Sequence, residues 1–360
     1  MREKHTKLFL TGPVEVRQDV LDQMSKPMIG HRTPEFKELF RRVTGKLQTL
    51  LHTRNRVFLS SSSAMGIMEA CVRNCVRNKS LNLINGAFGE RWADVVVACD
   101  KACEKYEVEW GQKFDLNYID QRLASGEFDC LCMVHNDTSV GTINPIEEIS
   151  KIVKKYPEVL FLVDSVTSMA GVKLEVDKLG IDVTFASNHK CFSLAPIMTV
   201  FCCSDRALER SKEMKGKGYY FDFQLFLKHH EKSGPLVSPP IPQIYALDYQ
   251  LDKMFAEGLE NRYKRHEDMG KVVREWAIMN GFEIFPASGQ ESPTVSCIKN
   301  TRGVDVVEMI ERVKKNHGMA FSNGYRAIGG KTFRIGHLGD VTVEEVKELL
   351  KALEEEINNG

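Results

Sequence analysis

The residues best placed for chemistry in this chain stand just past short apolar runs. VLFLV is closed by Asp164, and VTFAS leads through Asn188 and His189 into Lys190. In a sheet whose strands share a direction, those two ends lie at the same edge, where ligands gather. A carboxylate and an amine brought together there suit a pyridine-ring cofactor. The carboxylate keeps the ring nitrogen protonated so that the ring can draw electrons, and the amine forms an imine and later moves a proton. Either residue alone carries little weight, because most lysines are solvated surface charges and an Asp after a strand is often a cap or a metal ligand.

Further strand ends add to the pair. FLSSSSAMG sets Ser60 to Ser63 between a strand and a helix start, where hydroxyls and free backbone N–H groups hold a phosphate dianion, although an ordinary serine cap accounts for the segment equally well. LNLINGAFGERW carries Phe88 in a Gly-flanked turn, either stacked on a flat ring or packed in the core. CLCMVHNDTSVG presents His135, Asn136 and Thr138, able to reach a phenolate oxygen or a substrate, or simply a polar turn bonded to its own backbone. Far downstream, KTFRIGH places Arg334 inside an apolar strand. A guanidinium there calls for an anion, either a bidentate substrate carboxylate or an acid across a domain interface.

The elements that position these residues follow from periodicity. RVFLS, LNLIN, YEVEW, CLCMVH, VLFLVD, VTFAS and TVFCCS read as strands, separated by helical patterns such as MGIMEACVRNCVRN and GERWADVVVACDKAC. That alternation predicts an α/β fold with a mostly parallel sheet covered by helices. After Ser204 come a charged helix, the Pro- and Ser-rich loop EKSGPLVSPPIP, and one long helical stretch from Tyr245 to Asn280 that changes domain. The runs SPTVSCI and KTFRIGH and the helices VDVVEMIERVKK and VEEVKELLKALEEEI then form a small α+β domain.

With 360 residues, 42% of them hydrophobic, the chain can bury a large core and divide into two units. Lys plus Arg and Asp plus Glu both total 49, so no net field favours nucleic acid or an anionic membrane, and a small molecule is the expected partner. The ten cysteines lack a CxxC pair and sit in apolar patterns, which predicts buried, reduced thiols rather than disulfides or a metal site. No apolar run reaches spanning length, and the opening apolar run is broken at once by Gly12 and Pro13. A cytoplasmic location is expected.

Taken in order, FLTGPVEV, PMIGHRTPEF, NGAFGERW, HNDTSVGTINP, VDSVTSMAGV, SNHKCF, ENRYKRH, SPTVSCIKNTRG and KTFRIGHLGD resemble the class V aminotransferases, in particular the alanine-glyoxylate and serine-pyruvate group. The resemblance spans nearly the whole chain. It implies the type I fold of pyridoxal-phosphate (PLP) enzymes: a large domain over residues 1–250 with a mostly parallel seven-stranded sheet, and a small C-terminal domain over 251–360. Residues 1–30 would contribute to the active-site mouth and the small domain. It makes Lys190 the lysine that holds the cofactor as a Schiff base and Asp164 the partner of the ring nitrogen. Phe88 takes the stacking place, Thr138 bonds the ring hydroxyl, and Ser63, with Ala64 and Met65 in its loop, and His189 contact the phosphate. Ser238 falls where a neighbouring subunit reaches that phosphate, Arg334 where the substrate carboxylate is gripped, and Gly30 and His31 in the segment lining the mouth. A homodimer with sites at the interface is implied, working on alanine or serine and on glyoxylate or pyruvate.

Two loops depart from the family pattern. Ser63, Ala64 and Met65 replace a Ser-Gly-Thr or Ser-Gly-His phosphate loop, and Ala195, Pro196 and Ile197 stand where Pro-Pro-Gly is usual. Loss of glycine changes the backbone angles open to each loop. Three other activities fit the same fold. A desulfurase would need a mobile cysteine, for which Cys191 is adjacent to the lysine. A lyase or a transaminase for aspartate, phosphonate or phosphoserine substrates would keep the cofactor, and a phosphorylated substrate would need a second basic cluster from His31, Arg32 and Arg326. A non-catalytic accessory subunit would keep only the fold.

Overall fold

The computed structural model of the protein describes residues 5–358. Residues 1–4 and 359–360, the extreme ends of the two expected domains, lie outside the described residues. Seven strands form the main sheet: β1 (Arg56–Ser60), β2 (Lys79–Ile84), β3 (Ala102–Glu107), β4 (Cys130–Val134), β5 (Leu160–Asp164), β6 (Val183–Ser187) and β7 (Thr199–Cys203). Their order is β1-β7-β6-β5-β4-β2-β3, with β7 antiparallel to both neighbours and every other pairing parallel. The mostly parallel α/β sheet expected from the alternating pattern is therefore present.

The central strands are apolar on both faces because helices cover both. In β4, Leu131 and Met133 enter one core while Cys130, Cys132 and Val134 enter the other, the two-residue period of a strand. Helix α1 (Pro34–Leu50) supplies Leu39 and Phe40 to the first core, and α2 (Ala64–Cys75) with α3 (Ala87–Ala98) supplies Ile67, Met68, Cys71 and Val96 to the second. Each such side chain contributes about 1.5–3 kcal/mol by burial.

Three expectations need correction. YEVEW shares only Tyr106 and Glu107 with the third strand; β3 begins four residues earlier, at Ala102, because GERWADVVVACDKAC stops being helical at Ala98 and turns at Asp100, whose φ is +56°. The strand ACEKYE is an edge strand, so charged residues suit it and its apolar content is low. The stretch from Tyr245 to Asn280 is two helices, α4 (Ile241–Glu257) and α5 (Leu259–Met279), broken at Gly258 with φ +85°. Of the cysteines, eight are buried, but Cys99 and Cys103 are half-buried at the end of α3 and on the edge strand.

A second sheet of four strands takes the order β8-β9-β11-β10, from β8 (Glu283–Ile284), β9 (Val295–Lys299), β10 (Ser322–Asn323) and β11 (Thr332–Gly336). Helices α5, α6 (Val306–His317) and α7 (Val343–Asn358) pack on it through Met269, Val273, Met309, Val313, Leu349 and Leu353. The N-terminal segment joins this unit. Lys7 and Leu8 pair in parallel with Met319 and Ala320, and the Phe9 carbonyl accepts from the Gly336 N–H at 2.8 Å. No helix among the described residues is long and apolar enough to cross a membrane.

Candidate active site

The carboxyl ends of β1, β2, β4, β5 and β6 converge on a cavity of about 280 Å³. Its wall brings together Ser63, Ala64, Met65, Phe88, Thr138, Asp164, His189 and Lys190, eight of the residues expected at the site. Asp164 is the last residue of β5, and Lys190 lies three residues past the end of β6.

Both groups are buried, and burial governs their acidity. Lys190 is 7% exposed, and loss of solvation pulls its amine down to about 8. Its Nζ donates to the Thr11 carbonyl, a contact made possible by Gly12, whose φ is +127°; a Cβ there would lie 2.6–2.7 Å from the lysine side chain. Asp164 is pushed up to about 7, again chiefly by burial, although its Oδ1 accepts the Val166 N–H at 2.8 Å. His189 is pulled down to about 4 by burial and by the neighbouring lysine, so at neutral pH it is an uncharged imidazole.

Local folding sets the remaining side chains. Ser63 precedes α2 in extended conformation and makes no capping bond; the first N–H of the helix, that of Ala64, donates instead to Ser187 Oγ at 3.0 Å. The Ser63 hydroxyl is thus left free beside a helix N-terminus, a natural seat for an anion. Phe88 is held by Asp137, whose carboxylate accepts the backbone N–H groups of Phe88 at 3.1 Å and Gly89 at 3.4 Å at the start of α3. Thr138 and Thr167 share a hydroxyl–hydroxyl bond.

Arg334 does not line the cavity but adjoins it. Its Nε donates to the Asn323 carbonyl at 3.0 Å and its Nη1 to the carbonyl of Thr138 at 3.0 Å. No carboxylate pairs with it among the described residues, so the interface acid considered above is not there. His31 and Ser238 lie in a different cavity, of about 640 Å³, with Arg32, Lys37, His229 and Lys232. Gly30, next to His31, lines neither, so within one chain these three positions are not brought to Lys190. The basic cluster imagined from His31, Arg32 and Arg326 does not form either, because Arg326 is exposed against the Tyr325 ring instead.

Gly12, Arg91, Thr167 and Ser187 are cavity residues that pattern reading passed over. Arg91 had a signal: three positions after Phe88 in one helix puts both on the same face. Asn136 was singled out and does line the cavity; its Nδ2 donates to Thr294 Oγ1 at 2.8 Å.

A protein-family model described as aminotransferase class V matches residues 15–349. The chain belongs to this family. Among its relatives, an uncharacterised aminotransferase of Methanocaldococcus jannaschii is 33% identical over 352 residues, covering 96% of this chain and 91% of the relative. A serine–glyoxylate aminotransferase of Arabidopsis thaliana is 28% identical over 360 residues, covering 96% and 89%. Among solved structures, an alanine–glyoxylate aminotransferase from Nostoc superposes with a TM-score of 0.93 at 26% identity, covering 99% of this chain and 96% of that one. The fold is accordingly that of type I PLP enzymes, and the protein is a PLP-dependent transaminase.

The cavity suits pyridoxal phosphate on its own chemistry. It offers a buried amine with lowered basicity, a buried carboxyl at a neighbouring strand end, and a free hydroxyl at a helix start. The buried Nδ1 of His189 and Oδ1 of Asn136 have no protein partner, as expected of atoms that face a bound group. Cys191 is the reverse case: its Sγ donates to the Thr167 carbonyl at 3.3 Å, and burial pushes the thiol up to about 12. A desulfurase needs a mobile, easily ionised thiol.

Proposed function

We propose that the enzyme moves an amino group from a small amino acid, alanine or serine, to a small 2-oxo acid, glyoxylate or pyruvate, with Lys190 as the amine to which the cofactor is joined. The observation that carries this reading is the buried Lys190 amine, drawn down to about 8, in one cavity with Asp164. Bound pyridoxal phosphate supplies an electron sink for the bond being broken at the substrate Cα.

The chain's own groups do the rest. Lys190, with its amine drawn down to about 8, is uncharged in a useful fraction near neutral pH and would carry the proton from the substrate Cα. Asp164, whose carboxyl burial pushes up to about 7, would partner the ring nitrogen and help keep it protonated. Phe88, fixed through Asp137, would stack on the ring, and Thr138 would bond its hydroxyl. Ser63 and His189 would hold the phosphate beside α2, in the loop that Ala64 and Met65 complete. Arg334 grips the substrate carboxylate, its guanidinium already oriented by two carbonyl oxygens.

A homodimer belongs to the same reading. Ser238 and His31, with Gly30 beside it, share a cavity apart from Lys190, so their roles require that a second copy brings them to the site. We place the seam between the large domain, residues 1–250, and the small domain, residues 251–360, in the helical stretch that breaks at Gly258. We assign the enzyme to the cytoplasm on the strength of its free thiols.

The test is a half-reaction. Purified protein should carry a visible absorbance that borohydride fixes onto Lys190, and alanine or serine should bleach it until glyoxylate or pyruvate restores it. Protein that stays colourless with added pyridoxal phosphate would sink the assignment of Lys190. In the Arg334→Ala variant, carboxylate substrates should bind about 10–100-fold more weakly while the cofactor stays bound. Loss of the cofactor instead would overturn the role given to Arg334.

A further inference from the structure

Among the described residues the Lys190 amine has one hydrogen-bond partner, and it is backbone. Nζ donates to the carbonyl of Thr11, and Gly12 beside that carbonyl lines the cavity together with Lys190. The approach leaves no room for a side chain: a Cβ on Gly12 would lie 2.6 Å from Cε and 2.7 Å from both Cδ and Nζ. At φ +127° Gly12 also holds an angle that other residues rarely take. The turn is fixed on both sides. Phe9 donates its N–H to the Ala320 carbonyl at 2.7 Å, and the Thr11 N–H reaches Ser322 Oγ at 3.4 Å. Past the turn, the Val14 N–H donates to the His189 carbonyl at 3.3 Å, one residue from the lysine.

A carbonyl oxygen only accepts, and that decides what it does to an amine. An uncharged amine has two N–H donors and one lone pair, so Thr11 occupies an N–H and leaves the lone pair open. A hydroxyl in the same place would donate to that lone pair and blunt the base. Once the amine is protonated the same oxygen accepts a charge-assisted bond, so the contact suits both forms. Among the described residues the other groups facing the amine make no bond to it. Asp164 and Asp137 lie beyond ion-pair distance, with the Asp137 carboxylate engaged by the start of α3. Cys191 Sγ donates to the Thr167 carbonyl, His189 is an uncharged imidazole, and Arg334 directs Nε and Nη1 to the Asn323 and Thr138 carbonyls.

We propose that the Thr11 carbonyl is a positioning group of the reaction: it holds the Lys190 amine by an N–H whenever that amine is not joined to the cofactor, and so leaves the lone pair open to the cavity. This rests on the transaminase reading and adds to it the part that aims the base. In the proton step the Cα–H bond breaks, its proton joins the Nζ lone pair, and its electron pair stays on the substrate side. The ammonium so formed keeps its bond to Thr11 until it gives the proton back. Gly12 is then required by the chemistry as well as by the turn.

A crystal structure of the wild type loaded with pyridoxamine phosphate, to which Lys190 cannot be joined, should show Nζ within about 3 Å of the Thr11 oxygen. An amine turned to any other partner overturns the proposal. In cofactor-free protein, cyanate carbamylation of Lys190, read by peptide mass spectrometry against pH, reports the titration of the amine itself. Gly12→Ala should lower that midpoint by about one pH unit, because the ammonium loses its acceptor while it stays buried. A midpoint that stays put, or rises towards the ordinary lysine value, makes the turn a mere shield and overturns the proposal. With saturating alanine or serine, whichever bleaches the wild type, Gly12→Ala should bleach the visible band about 10–100-fold more slowly, at a half-saturating concentration within about threefold of the wild type. The reverse split would make the turn a substrate-binding element and overturn its positioning role. If Gly12→Ala does not fold, the wild-type crystal structure decides alone. A wild type that is bleached while Nζ stands elsewhere overturns this proposal and leaves the transaminase reading standing, and a band that no amino acid alters overturns both.

Discussion

Two buried groups of charges in this molecule are built in opposite ways. At the seam near Gly258, Arg262 is 1% exposed and every direction of its guanidinium is answered: Glu257 at 3.0 Å, Asp340 at 3.1 Å, the Ala170 carbonyl at 2.9 Å and that of Cys191 at 2.7 Å. Arg265 adds a bond to Glu257 at 2.6 Å, and although burial opposes it, the two arginines hold the Glu257 carboxyl below its usual range. At the cavity, Lys190 and Asp164, and beside it Arg334, have no ion-pair partners among the described residues, and burial moves all three towards neutrality. Charges satisfied by the chain hold its parts together, and charges left unsatisfied wait for something the chain does not contain. The comparison teaches which buried ions to read as architecture and which as chemistry.

The strongest way to break that contrast is Arg262→Leu. It should leave the Ala170 and Cys191 carbonyls without that donor and take one cationic partner from both Glu257 and Asp340, which keep only Arg265 and Gln250, costing about 3–5 kcal/mol of stability in urea unfolding. A loss below about 1 kcal/mol would mean the seam is as dispensable as a surface pair. Asp164→Asn should do the opposite in cofactor-free protein. The folded pKa of Asp164 is raised to about 7 from 3.8, so its stabilising contribution is complete below 3.8 and lost as pH rises through about 7. Asn does not titrate, so the variant should gain on the wild type between pH 4 and 7, by about 2–4 kcal/mol, and hold that gain above. The same variant should bind pyridoxal phosphate more weakly; a flat pH difference would put Asp164 in solvent rather than in the interior.

Lys190→Met carries a smaller gain. The lysine is depressed to about 8 from 10.5, so its penalty is complete below 8 and disappears above 10.5. Removing it should stabilise the cofactor-free protein by about 1–2 kcal/mol at pH 7, net of the Thr11 bond, and abolish borohydride labelling. The smallest effect concerns backbone. At the seam a positive φ is filled by glycine, whereas in the loop after Lys190 it falls on Ile197, at +104°. Ile197→Gly should relieve about 1 kcal/mol of strain, read as a rise in Tm. No rise would mean that the exposed side chain contributes as much as the strain removes.

Strands buried on both faces, such as VTFAS and VLFLV, were legible because apolar runs bounded by polar ends have few other readings. The edge strand ACEKYE was not, because an edge in solvent needs no apolar run, and the neighbouring YEVEW looked stronger. The break at Gly258 was hidden by a helical period that continues on both sides of it. For the site, side chains that end a strand were visible, as at Asp164, Thr138 and Lys190. Residues such as Gly12, Thr167 and Ser187 enter the cavity through tertiary contact alone. Ser238 and His31 came from resemblance, and a single chain cannot bring them to Lys190.

The segment around Thr11 and Gly12 has a consequence for the order in which the protein is built. It reaches Lys190 only while Lys7 and Leu8 lie beside Met319 and Ala320, and while Phe9 lies against Gly336. On the ribosome the first of these partners emerges long before the second. The wall of the cavity that touches the lysine is therefore completed only after Gly336 has been synthesised, well after the seven strands of the large sheet. A product truncated before Met319 would have the large sheet and its strand ends but an open pocket, so synthesis of the second sheet is itself a condition for a competent site.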